Sequence, residues 1–134
     1  MINSRFYEGF EGEAEISFVA GDNKLVIWNG YFETILDNLL DCSVEREGVL
    51  KEFFNHEGWY DDSPWMIEDN SLTITQLKCF DISKINQTSM KDDLEEVVKT
   101  IISFFENNRF SKIYIEYELL LYICNKQFIH VVDA

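Results

Sequence analysis

The stretch Glu13-Ala14-Glu15-Ile16-Ser17-Phe18-Val19-Ala20-Gly21-Asp22-Asn23-Lys24-Leu25-Val26-Ile27-Trp28 decides the fold. From Glu13 to Ala20 the residues alternate, with Ala14, Ile16, Phe18 and Ala20 on one side and Glu13, Glu15, Ser17 and Val19 on the other. That is the period of a half-buried strand. Gly21-Asp22-Asn23 is a turn signal, and Lys24 to Trp28 is nearly continuous in apolarity, so the two runs read as a hairpin. Beyond Asn29-Gly30 the period changes. Phe32, Ile35, Leu36, Leu39 and Leu40 fall at helical spacing, opposite Glu33, Asp37, Asn38 and Asp41. Val49, Leu50, Phe53 and Phe54 repeat the pattern more weakly, with Gly58 as a stop.

Further along, Leu72, Ile74 and the run to Phe80 read as a strand supported by Thr73 and Thr75. Asp81 to Thr88 is a connection. Ser89 and Asp92 resemble a capping box that opens a long helix with the stripe Leu94, Val97, Val98, Ile101, Ile102 and Phe105, ended by Asn107-Asn108. Lys112 to Glu118 alternates again, and the apolar tail from Leu119 to Val132 reads as two further strands joined at Asn125-Lys126-Gln127. The expected class is α+β, a largely antiparallel sheet of about five or six strands packed with about three helices, because strands follow one another in sequence instead of alternating with helices.

With 134 residues, 46% hydrophobic and 15% aromatic, the chain can fill one core and hardly two. No linker or repeat interrupts it, so a single domain over 1–134 is expected. Met1-Ile2-Asn3-Ser4-Arg5 carries no basic run ahead of an apolar segment, and no stretch approaches the roughly 18 apolar residues of a membrane span. Neither classical export nor membrane insertion is expected. Cys42, Cys79 and Cys124 are odd in number, widely spaced and set beside apolar residues, which reads as buried thiols in a reducing compartment, the cytoplasm.

The net charge is −14. Up to Asn70 there are sixteen acids against four bases, and from Ser71 on nine against seven. Solubility alone would be served by an even spread. A concentrated field of this sign repels nucleic acid and anionic membrane and attracts cationic partners.

The catalytic inventory is thin. There is no GxSxG, HExxH, CxxC, Walker loop or GxGxxG; His56 and His130 lie far apart, and His130 reads as a core or edge position. Paired carboxylates such as Asp92-Asp93, Glu95-Glu96 and Glu116/Glu118 are better explained as helix-start charges and a solvated strand face than as catalytic or metal-binding sets. No catalytic residue, metal or cofactor is expected.

The segment Gly58-Trp-Tyr-Asp-Asp-Ser-Pro-Trp-Met-Ile-Glu-Asp69 differs in kind. It sets aromatics among acids without a strand or helix period, the mixture that protein interfaces favour. Trp59, Tyr60, Asp61, Asp62, Trp65, Glu68 and Asp69 are therefore the candidate partner-binding residues, against the plain alternative that Trp59 and Trp65 plug the core from a loop. A second acidic concentration, Glu8, Glu11, Glu13 and Glu15 with Phe6, Tyr7 and Phe10 interleaved, is either the rim of the same surface or a frayed terminus.

A small acidic α+β chain with no catalytic signature and an aromatic-acidic GWYDD..PW.IED loop resembles the immunity proteins of bacterial contact-dependent growth inhibition and related polymorphic toxin systems. The likeness is one of general character over most of the chain. It implies a cytoplasmic binding protein, not an enzyme, that neutralises a cognate basic toxin C-terminal domain, often a nuclease, as a monomer or weak dimer, with no direct contact to nucleic acid or membrane. The alternatives are another acidic protein-binding or structural module, a nucleic-acid mimic, or a small hydrolase.

Overall fold

A computed structural model describes residues 1–41, 48–56, 63–86 and 88–118. They form an α+β fold around a five-stranded, mostly antiparallel sheet. The expected hairpin is its centre. Strands β2 (Glu15–Ala20) and β3 (Asn23–Trp28) pair antiparallel from Glu15↔Trp28 to Ala20↔Asn23. Only Gly21 and Asp22 lie between them, and Gly21 takes a φ of 60°, the left-handed geometry that two-residue hairpin loops demand. On the outer flank of β3, β1 (Ile2–Phe6) pairs with it in parallel. Beyond β2 come β5 (Tyr114–Glu118) and the two-residue β4 (Trp65–Met66), giving the order β1-β3-β2-β5-β4.

The register sorts the strand side chains onto two faces. Ile16, Phe18, Leu25, Ile27 and Ile115 occupy one face and are almost fully buried. Helices α1 (Asn29–Asp41) and α4 (Thr88–Asn107) cover it. Phe18 is the hub: its ring meets Phe32 of α1 edge-on at 5.2 Å and Phe105 of α4 at 5.4 Å. The stripe predicted for the long helix is the one observed, with Leu94, Val97, Ile101 and Phe105 at zero exposure. Helix α3 (Asn70–Leu77) packs on α4, and α2 (Val49–Asn55) contributes Val49 and Leu50 to the same core. No helix among the described residues is long and apolar enough to cross a membrane.

Three expectations need correction. The segment Leu72–Phe80 is not a strand: α3 occupies Asn70–Leu77. The buried positions Thr73, Ile74, Gln76 and Leu77 follow helical spacing, and the hydroxyls of Thr73 and Thr75 donate to the carbonyls of Asp69 and Ser71 four residues back. Asp69 caps the helix by accepting from the Leu72 amide at 2.9 Å. Helices accordingly number four α-helices among the described residues, with one 3-10 turn at Ile82–Lys84. Cys79 is exposed instead of buried. Cys42, Cys124, Gly58, His130 and the two strands expected after Leu119 lie outside the described residues.

Local chemistry fixes the joints between elements. Asn38, buried on α1, donates to the Asp81 carbonyl at 2.8 Å and accepts the Asp81 amide at 2.9 Å. This pair ties α1 to the connection ahead of α4. Gly48 sits at φ 59°, where an added Cβ would lie 2.8 Å from both Thr73 Oγ1 and Gln76 Oε1. The start of α2 therefore lies directly against α3.

Candidate functional site

The predicted partner-binding residues fare unevenly. Trp59, Tyr60, Asp61 and Asp62 lie outside the described residues. Trp65 is not a surface anchor: it is 7% exposed, points into the core beside Ile115 and stacks on His56 at 4.4 Å. The plain alternative, a tryptophan that plugs the core, is the one observed. Glu68 is exposed and pairs with Lys51 at 2.8 Å, and Asp69 is spent on capping α3.

The structure instead assembles an acidic and aromatic surface at the end of the sheet where β2 begins and β3 ends. Residues 7–14 fold as consecutive tight turns, with the amides of Tyr7, Phe10 and Glu13 each bonded to the carbonyl three residues back. Gly9 and Gly12 supply the positive φ values of 89° and 100° that these reversals need. Tyr7 closes the loop by donating its hydroxyl to the Glu13 carbonyl at 2.5 Å. The turns lay Phe10 flat on Trp28, with centroids 4.1 Å apart and planes at 6°, and Tyr31 stands edge-on to both at 5.4 and 5.1 Å. Gly30 makes room for the indole, since a Cβ there would come within 2.4 Å of the Trp28 ring.

Carboxylates surround this triad. On the face of the sheet turned away from α1 and α4, Trp28, Glu15 and Glu118 form one row across β3, β2 and β5. The next row is Val26, Ser17 and Glu116, and Lys24 follows one pair further on. Glu15 and Glu118 are thus like charges set directly opposite each other, a destabilising arrangement on a sheet. Glu15 has its pKa raised, by burial first and then by the hydrogen bond and charge of Glu118, with Lys24 working against the rise. The Tyr7 phenol is also raised, by burial and then by the charge of Glu15, with Glu11 and Glu13 adding to it. Glu15 thus feels Glu116 and Glu118, and the Tyr7 phenol feels Glu11, Glu13 and Glu15.

Tyr31 extends the surface to α4. Its hydroxyl donates to Asp93 Oδ2 at 3.2 Å, and burial followed by the Asp93 charge raises its pKa. Asp93 belongs to the exposed run Asp92, Asp93, Glu95 and Glu96. Arg5 bonds Glu96, and Lys99 reaches Glu95 at 3.4 Å, a partial compensation. Surface pairs of this kind contribute little to stability.

No family model, curated protein or solved structure matches the chain.

Chemically, the surface suits recognition of a cation by aromatic and acidic side chains together. Among the described residues no three His, Cys, Asp or Glu side chains converge as metal ligands. His56 pairs with Glu52 at 3.2 Å and packs on Trp65, which holds the end of α2 against the core. The sequence had flagged Glu8 to Glu15 with their aromatics as a secondary concentration. It missed Trp28, Glu116 and Glu118, which join that surface through the cross-strand register, and Tyr31, which joins from α1 through its ring contacts with Phe10 and Trp28.

Proposed function

We propose that this chain is an acidic immunity-type protein that binds a cognate basic toxin domain, nuclease-like in its cationic substrate surface, and neutralises it by covering that surface. It acts in the cytoplasm of the producing cell and is a binding protein, not a catalyst. The observation that carries this reading is the opposition of Glu15 and Glu118, joined by Glu116, beside the Phe10–Trp28–Tyr31 triad. A fold has no use for like charges paired across a sheet. A partner's lysines and arginines relieve the repulsion, so binding energy is stored in the free protein as electrostatic strain.

The partner's chemistry follows from the same surface. A nuclease must present cationic groups to hold phosphates, and an acidic face with aromatic anchors competes for those groups while steering the approach. The test is co-expression of this chain with the C-terminal domain of a large secreted protein encoded beside its gene. Growth rescue together with a stable complex supports the proposal. A toxic neighbour that this chain neither binds nor counters overturns it.

A further inference from the structure

The fold holds the side chains of Glu15 and Glu118 together. Glu15 lies on β2, the middle strand of the five, and is paired directly with Glu118 on β5. Directly opposed side chains on an antiparallel pair stand about 5 Å apart. The register runs unbroken from Glu15↔Glu118 to Val19↔Tyr114, so the two residues cannot slip past each other without breaking the ladder.

Their surroundings withhold both water and counter-charge. In the same row Trp28 stands beside Glu15 from β3, with Phe10 flat on its ring. In the next row Val26 and Ser17 are 5% and 3% exposed, so the inner flank of the pair is dry. The basic group that acts on Glu15 is Lys24, and its ammonium is shared with Glu116 at 3.8 Å. The other titratable groups facing the pair among the described residues are Glu116 on β5 and, from the loop ahead of β2, the Tyr7 phenol with Glu11 and Glu13 beside it. Each of these carboxylates adds to the negative field.

Two carboxylates in such a site do not ionise as freely as isolated ones, and the first proton to return is held between them. Burial, and then the hydrogen bond and charge of Glu118, raise the Glu15 pKa. A hydrogen bond between the two side chains needs one of them protonated, because ionised carboxylates are acceptors only. That proton belongs to the pair and not to either residue.

We propose that Glu15 and Glu118 are a proton-linked switch in the partner surface: as pH falls from neutral the free chain takes up one proton between the two carboxyls, and a docking cation displaces it. In the free acid pair one carboxyl donates its O–H to the other carboxylate. When a guanidinium docks, its N–H groups bond both carboxylates, the O–H bond breaks and the proton leaves to water. The switch deepens the inhibitor reading and rests on it for the partner's cationic character. Because the free surface binds the proton and the docked one does not, affinity is highest at neutral pH, where the pair is already ionised. It falls by up to about tenfold per pH unit once the free pair holds its proton. A complex that is tight in a neutral compartment loosens in an acidic one.

The probe is an oligo-arginine peptide with blocked termini, whose guanidinium groups stay charged throughout and contribute no protons. The carboxyl carbon resonances of Glu15 and Glu118 are followed by NMR in the full chain from about pH 7 to about pH 4, with and without the peptide. The expected result is a step to which both carboxyls respond, which the peptide moves to lower pH while releasing protons into unbuffered solution. Glu118→Gln abolishes the shared step and that proton release, whereas Glu68→Gln, at the exposed pair with Lys51, changes neither. Unrelated steps for Glu15 and Glu118, or a shared step that the peptide leaves in place, overturn the proposal. The two readings fail separately. A toxin domain that this chain counters with an affinity indifferent to pH overturns the switch and spares the inhibitor reading; a shared step displaced by oligo-arginine, beside a toxic neighbour that the chain never binds, does the reverse.

Discussion

Replacing Glu118 with Gln stabilises this protein at neutral pH, although it removes one of its surface charges. Directly opposed residues on an antiparallel pair place their side chains about 5 Å apart, and two unit charges at that distance in a water-like dielectric repel by about 0.8 kcal/mol. Glu15 is only partly buried, so salt screening trims the effect, and a gain of about 0.5 kcal/mol in unfolding free energy is expected. In a chain of this size that is about 1 to 3 °C in melting temperature. The pH dependence has a definite sign. Glu15 has its folded pKa raised by burial and then by Glu118. The native state therefore binds a proton more tightly than the unfolded chain, and stability falls as pH rises through that raised value. Glu118→Gln removes the part of this fall that Glu118 causes and leaves the larger part due to burial, so its advantage is present at pH 7 and fades as pH drops into the carboxylate range. Urea titrations of parent and variant at pH 7 and near pH 4 measure both. A variant less stable than the parent at pH 7 would refute the account of Glu15 and Glu118 as a repelling pair.

Two further substitutions probe the joints. Asn38→Ala leaves the Asp81 amide and carbonyl without the partners they have in the fold, and is expected to cost about 2 to 3 kcal/mol in denaturant unfolding. Asp69→Ala removes the cap of α3 and costs about 1 kcal/mol, while affinity for the proposed partner, measured by calorimetry, stays within about twofold of the parent. A large loss of affinity in Asp69→Ala would return that residue to the contact surface.

The elements legible in the sequence are those in which burial and period coincide. The alternation of Glu13 to Ala20 buries Ile16, Phe18 and Ala20, the stripe of α4 buries Leu94, Val97, Ile101 and Phe105, and the turn signal Gly21-Asp22-Asn23 falls at the exposed reversal between β2 and β3. The failures have separate physical causes. Leu72, Ile74 and two threonines mimic a strand over a short window, where apolar runs are ambiguous, and the competing signal was the Asp69 cap. Strand β1 is polar in sequence and exposed at its first four residues, because it is held by backbone pairing to β3 and not by a buried face. Trp65 looked like an interface residue because its neighbours are acidic, yet its pairing with Ile115 turns it into the core. The candidate site was half visible: Glu11 to Glu15 and their aromatics are local, but Glu116 and Glu118 join them only through a register set between β2 and β5.

The most direct test of the account is the affinity of the proposed toxin partner for the double variant Glu15→Lys/Glu118→Lys, measured by calorimetry beside Glu68→Lys. The double variant keeps a like-charge pair across β2 and β5, now of two ammonium groups, so its circular dichroism and urea midpoint are measured alongside to separate lost binding from lost structure. The account predicts a drop of at least about a hundredfold for the double reversal and a change within about threefold for Glu68→Lys. A double variant that binds the toxin as tightly as the parent contradicts it.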